Sequence, residues 1–530
     1  MKPRVFVLGL GGTSIDLLKP WAESGWLPNL DYLFRRGTSG SLVSALPPTP
    51  ISEWAAILTG KNPGHTGLFD QIRKIPGSYF PQRLRPSSSG TEGVWSLVNR
   101  FCLSTALVNV PFASPENPAG TWAVGPHRVE MNDRNSSSMF VKALARLGLL
   151  PHEPVDAVSE KTDVPPGKTL QFLEKVTRDT ILEGQILGGI LETGTVDLVV
   201  VNFNGPDRLL PRFCEEISAL APGEKKTPIE EALLLFFKVL DDAVGKLIGD
   251  MRPMDLAIVL SGHSFSPFRK LLSLNHFLES MGLLRFRRGK GGESHFSRFA
   301  SPILRTVGVR RDPIKRVMGS LGVDRWLERI APPFSSEIGL FDWSRTRAFS
   351  ISRAGIHLNI RGLEPSGQVN PGPEARALGD EIIQALLELR DPHTGCPVIR
   401  NVCWRDQLYD GPRLADLPHL LVTDCDPGYT IAEFEQVRDR NGIFSETGER
   451  NGAPKKEGFF LMSGSGFPKG ANLSEPISIF DIAPTILRGF NEEHPVGLDG
   501  QPFLGERVFQ ENTQECLGEF ESTGDGEVPV

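Results

Sequence analysis

The residues Val5-Phe-Val-Leu-Gly-Leu10 form a short, unbroken apolar run that ends abruptly in Gly11-Gly12 and the polar Thr13-Ser14. A run this short, apolar throughout and bounded by glycine, fits a strand buried on both faces, as in a parallel sheet. In open α/β sheets, ligands sit in the crevice beyond the carboxyl ends of such strands. Gly11 is therefore expected at the floor of a site.

The same grammar recurs along the chain. Further buried strands are predicted at 105–110, 197–203, 256–260, 419–423 and 459–463, and helices at 16–37, 170–187, 374–390 and 479–487. Thr227-Pro228-Ile229-Glu230 reads as a helix start. Threonine caps, proline suits the first turn, and glutamate three residues on closes a capping box. That helix is expected to run to about Ile248, with Gly249 ending it. Strands alternating with helices predict an α/β fold, doubly wound, with a mainly parallel sheet and helices on both faces.

Composition narrows the function classes. The 530 residues carry a formal net charge of −7, with 39% hydrophobic and 23% charged residues, ordinary for a soluble globular protein. The mild acidity argues against a nucleic-acid partner. No apolar run approaches the roughly 20 residues of a membrane-spanning helix. Residues 5–10 are too short for a signal-peptide core and run into two glycines, so a cytoplasmic location is expected. Six cysteines (Cys102, Cys214, Cys396, Cys403, Cys425, Cys516) are scattered without a Cys-x-x-Cys pair, which fits free thiols in a reducing compartment. No Gly-x-x-x-x-Gly-Lys-Ser/Thr loop is present, which excludes a P-loop NTPase reading.

Several blocks are more specific. They are Leu46-Pro-Pro-Thr-Pro-Ile-Ser-Glu-Trp54, the Thr59-Gly60 pair with Lys61-Asn-Pro-Gly-His-Thr-Gly67, Gly355-Ile-His-Leu-Asn-Ile-Arg-Gly362, Asp391-Pro-His-Thr-Gly395, and Ile479-Phe-Asp-Ile-Ala-Pro-Thr-Ile-Leu487. With the first strand, they resemble the alkaline phosphatase superfamily in its type I phosphodiesterase/nucleotide pyrophosphatase branch, over roughly residues 3–503. The resemblance implies a core at 1–273 and 344–505 and an inserted cap at 274–343, and residues 506–530 read as a disordered acidic tail. The cap segment is rich in Arg and Lys, from Arg285-Phe-Arg-Arg288 through Arg310-Arg311 to Lys315-Arg316. Its charge is either a solvated face or a basic lid that attracts phosphate groups.

The resemblance also implies chemistry: two metal ions that activate a hydroxyl nucleophile and hold phosphoryl oxygens. Carried over position by position, most of the machinery is replaced. The strand-end aspartate of the first metal falls on Gly11, the threonine nucleophile on Pro50, and the Asp-His pair on Gly262 and His263. The second metal's Asp-x-x-x-His pair falls on Asp207 and Pro211, and its late histidine on Pro454. Two of seven positions survive, Asp207 and His263, as residual ligands of different metals. As alternatives, Asp207 pairs with Arg208 or caps a helix, and His263 is a hydrogen-bonded loop histidine. Thr49, before Pro50, and Ser52 are the remaining candidate nucleophiles.

The reading that follows is a catalytically degenerate member serving as a binding or regulatory module. No cofactor is expected, and its partner is a phosphorylated small molecule or a protein. The alternative is a phosphomonoester or phosphodiester hydrolase with a rebuilt site, two zinc or manganese ions, and Thr49 or Ser52 as nucleophile. A third reading is an unrelated activity in the same cleft.

Overall fold

A computed structural model of the chain describes residues 2–84, 91–111, 121–125, 128–131, 167–221, 226–287, 340–432, 442–448, 450–491 and 497–503. It divides into two compact units: 1–62, 90–266 and 449–530 in one, 63–89 and 267–448 in the other. Residues 288–339 of the expected cap, with Arg310-Arg311 and Lys315-Arg316, lie outside the described residues, as does the tail at 506–530.

The first unit is built on a 10-stranded sheet. Its strands are β1 (Val5–Gly9), β2 (Thr38–Val43), β3 (Thr105–Val108), β4 (Thr121–Gly125), β5 (Arg128–Met131), β6 (Leu198–Asn202), β7 (Leu256–Ser261), β8 (Glu457–Ser463), β9 (Ala471–Asn472) and β10 (Ile477–Ser478). The order is β9-β2-β8-β7-β1-β6-β3-β4-β5, with β10 also on β2. β1 lies between β6 and β7, parallel to both, with Val5 opposite Leu198 and Leu256 and Gly9 opposite Asn202 and Leu260. β8 runs antiparallel to β2 and β7. The first and last predicted strands therefore share one mainly parallel sheet.

Helices cover both faces of this sheet. They are α1 (Ile15–Glu23), α2 (Pro28–Arg36), α3 (Pro50–Thr59), α4 (Val94–Arg100), α5 (Thr169–Thr193), α6 (Gly205–Ala219), α7 (Pro228–Asp250) and α8 (Ile482–Gly489). Phe6 and Leu8 of β1 share one core with residues of α1, α2, α5, α6 and α7. On the other face Trp54 of α3 packs on Gly9, and Gly489 of α8 on Val5 and Leu256. The predicted capping box at Thr227 is present, but α7 runs through Gly249 to Asp250. The single helix predicted at 16–37 is instead two. Gly25 adopts a left-handed φ of 82°, which a helix cannot continue through, and Pro28 restarts the chain in the first turn of α2.

The base of β1 is pinned by charge. Asp255, fully buried, accepts from the Arg4 backbone N–H at 2.9 Å and from the Arg4 guanidinium at 2.7 Å. The second unit carries an antiparallel four-stranded sheet in the order Ala348–Ser352, Gly355–Leu358, Leu420–Cys425, Ile399–Trp404, with the helix Pro373–Glu388 in its core.

Candidate functional site

The site lies in the first unit, beyond the carboxyl ends of β1 and β7. After β1 the chain turns tightly: Thr13 donates from both its N–H and its Oγ1 to the Leu10 carbonyl, and Gly12 sits at φ 81°. Ser14 then caps α1. β7 ends in the Ser261-Gly262-His263 turn, where Ser261 Oγ donates to the His263 carbonyl at 2.6 Å. Asp207 stands in the first turn of α6, where the helix dipole favours a carboxylate.

Three side chains meet there. His263 Nδ1 is 2.8 Å from Glu53 Oε2, and Nε2 is 3.2 Å from Asp207 Oδ1. Ser44 Oγ donates to the other Glu53 oxygen at 3.1 Å. The imidazole and the Glu53 carboxylate are almost wholly buried, with 2% and 4% of their side-chain surface exposed, against 18% for Asp207. Asp207 Oδ1 has no aligned hydrogen-bond donor, so its approach to the ring is ionic. Phe265 closes one side, edge-on to the imidazole at 5.0 Å.

This geometry fixes the protonation. Burial works against a charged imidazole, but the negative charges of Glu53 and Asp207, with their contacts to the ring, outweigh it and raise His263 to about 10. Burial raises Glu53 above its ordinary value, and the His263 charge opposes that only in part. At neutral pH the ring is a cation. It has no lone pair to give to an ion or to use as a base.

The structure thus brings Asp207 and His263 together and adds Glu53, which the sequence reading missed. The signal was present: Glu53 is the only charged residue in Pro-Ile-Ser-Glu-Trp-Ala-Ala-Ile-Leu-Thr, and a charge among such residues is buried only with a partner. Arg208 does not pair with Asp207 but with Asp179, at 2.7 Å.

Thr49 and Ser52 are placed by α3. Thr49 is its N-cap, accepting from the Ser52 N–H, and Ser52 Oγ reaches back to the Thr49 N–H in a capping box. The two hydroxyls lie 2.9 Å apart, and Ser52 Oγ is also 2.9 Å from the Pro47 carbonyl. Replacing Thr49 by alanine is expected to cost about 1 kcal/mol through loss of the cap, measured by chemical denaturation.

Pro211 lies inside α6, where Phe213 leaves helical geometry and the Cys214 N–H turns to Asn451 Oδ1 at 2.7 Å. A proline cannot donate to the helix ladder, so the bend follows from its chemistry. Pro454 lies in the strand Gly452–Lys455 beside α6; a Cβ on Gly452 would come within 2.2 Å of the Leu210 carbonyl. In the second unit, His65 stands 3.9 Å from Asp410, and His357 and His419 are held well below their ordinary value by burial, His419 at about 3.

Comparison with known proteins identifies the family. Residues 5–316 match the family model described as type I phosphodiesterase/nucleotide pyrophosphatase. The chain belongs to that family. Phosphonoacetate hydrolase from Sinorhizobium meliloti 1021, solved with phosphonoacetate, is similar over 92% of this chain and 95% of its own at 12% identity and a TM-score of 0.53. Human ectonucleotide pyrophosphatase/phosphodiesterase 5 is similar over 93% of this chain and 96% of its own, at 12% identity and a TM-score of 0.46. The first likeness shows the fold, an alkaline-phosphatase-like α/β fold. No curated protein matches the chain.

A metal pair of the kind the family implies does not fit the side chains in place. Both His263 nitrogens face carboxylates, and the Asp207 carboxylate occupies the space above Gly11. Among the described residues, no group of three or more His, Cys, Asp or Glu side chains is arranged to hold a metal ion.

Proposed function

We propose that this member of the type I phosphodiesterase/nucleotide pyrophosphatase family is catalytically degenerate and keeps the fold as a binding or regulatory module. The observation that carries the reading is His263, with one ring nitrogen 2.8 Å from Glu53 and the other 3.2 Å from Asp207. Two-metal phosphoryl transfer needs open coordination positions and an activated hydroxyl. Here the imidazole is committed to carboxylates, and Thr49 and Ser52 cap α3. The alternative, a rebuilt hydrolase using either hydroxyl, would have to free that hydroxyl from the α3 cap.

The ligand is a phosphorylated small molecule or a protein partner. Free Cys102, Cys214, Cys396, Cys403 and Cys425 support a reducing compartment and hence the cytoplasm. Among the described residues no helix is long and apolar enough to cross a membrane.

Hydrolysis of a nitrophenyl phosphodiester tests the reading. It is measured with added zinc, manganese or magnesium, for the natural chain and for Asp207→Ala and His263→Ala. Background rates, equal in all three proteins, are expected. Robust metal-dependent turnover that both substitutions abolish would overturn the proposal.

A further inference from the structure

We infer that the site is occupied from within. Asp207 and Glu53 have taken the space of the two strand-end carboxylates absent at Gly11 and Gly262, and they clamp His263 where the family resemblance puts a metal. The inference rests on the degenerate reading and adds how the site is closed.

Neither glycine is demanded by its backbone. Gly12 has a left-handed φ, but Gly11 and Gly262 do not, so an ordinary residue would meet no conformational strain at either position. Space is what refuses a side chain. A Cβ at Gly11 would lie 2.1 Å from Asp207 Oδ2 and 2.6 Å from its Cγ. A Cβ at Gly262 would lie 2.7 Å from Glu53 Oε2 and 2.9 Å from its Cδ. In both cases the intruding group is a carboxylate, and the same two carboxylates flank one imidazole.

Glu53 strengthens the argument. It projects from a helix whose neighbouring residues Trp54, Ala55, Ala56, Ile57 and Leu58 are all buried and apolar. A lone carboxylate there is costly unless a counter-charge and hydrogen bonds meet it. His263 supplies the first and Ser44 the second. Each glycine is thus matched to one carboxylate from a neighbouring element, Gly11 to α6 and Gly262 to α3. The space at the two glycines is filled by the Asp207 and Glu53 side chains.

Matched pairs couple in a double-mutant cycle. Gly262→Ala alone is expected to lower the melting temperature, because its methyl group meets Glu53. Glu53→Ala alone lowers it too, because His263 loses a partner. The double variant is expected to be no less stable than Glu53→Ala alone. Additive losses would overturn the inference.

A second arm reads zinc bound per chain. Gly11→Asp and Gly262→Asp combined with Asp207→Ala and Glu53→Ala removes both intruding carboxylates and returns both strand-end carboxylates beside His263, giving the roughly three protein ligands of a zinc site. About one zinc per chain is expected in this variant, against none in the natural chain. A folded quadruple variant that takes up no zinc would overturn the inference, and if it does not fold, the cycle decides. Stoichiometric zinc in the natural chain would instead sink the degenerate reading, whereas additive losses with a zinc-free natural chain would sink this inference alone.

Discussion

Replacing His263 by leucine will destabilise the first unit by about 3–5 kcal/mol, the usual cost of removing one partner from a buried ion pair. Leucine approximates the volume of the ring but leaves Glu53 and Asp207 facing each other without a cation. The Glu53 carboxylate cannot turn to water, being 4% exposed and held by Ser44 on its other oxygen. Urea denaturation of the full chain checks the size of the loss. A second substitution, Glu53→Leu, should recover part of it, because replacing a buried ion pair with apolar groups is often neutral. A loss below about 1 kcal/mol for His263→Leu would place the ion cluster at the fringe of the fold's stability.

The stability of the natural chain will fall as pH rises from about 7 to 10. His263 is raised from 6.5 to about 10 in the fold, so the folded chain binds a proton that the unfolded chain releases across that window. A base with a raised value contributes fully below its unfolded value, and the contribution is lost as pH climbs through the folded one. Glu183, raised to about 8 by burial, adds a slope of the same sign. The diagnostic is therefore the difference between the natural chain and His263→Leu, whose curve should lack the histidine's share. Parallel curves for the two proteins would show that His263 is not held as a cation.

The strands were the most legible part of the sequence. β1, β6, β7 and β8 each carry a continuous apolar run, because a strand covered on both faces has no reason to alternate. Their ends were less certain by a residue or two. Leu10 is buried like the strand before it, yet it belongs to the turn to Gly12. The helix read across 16–37 failed because periodicity outweighed Gly25 and Pro28, the two residues that break it.

At the site, the replaced positions could be found by matching motifs, but what fills them could not. Gly11 and Asp207 are far apart in sequence, as are Gly262 and Glu53; only the fold shows that each glycine faces a carboxylate. Glu53 betrayed itself solely as a charge among apolar neighbours. Thr49 and Ser52 were read for their hydroxyls, and the same three-residue spacing is also that of a helix cap.

The central question is whether the site around His263 holds metal. The direct measurement is the zinc and manganese content of the full chain after equilibration with both ions and removal of free metal, taken beside its turnover of a nitrophenyl phosphodiester. No stoichiometric metal and no turnover above background are expected. Two equivalents of metal per chain together with metal-dependent hydrolysis would contradict the degenerate reading.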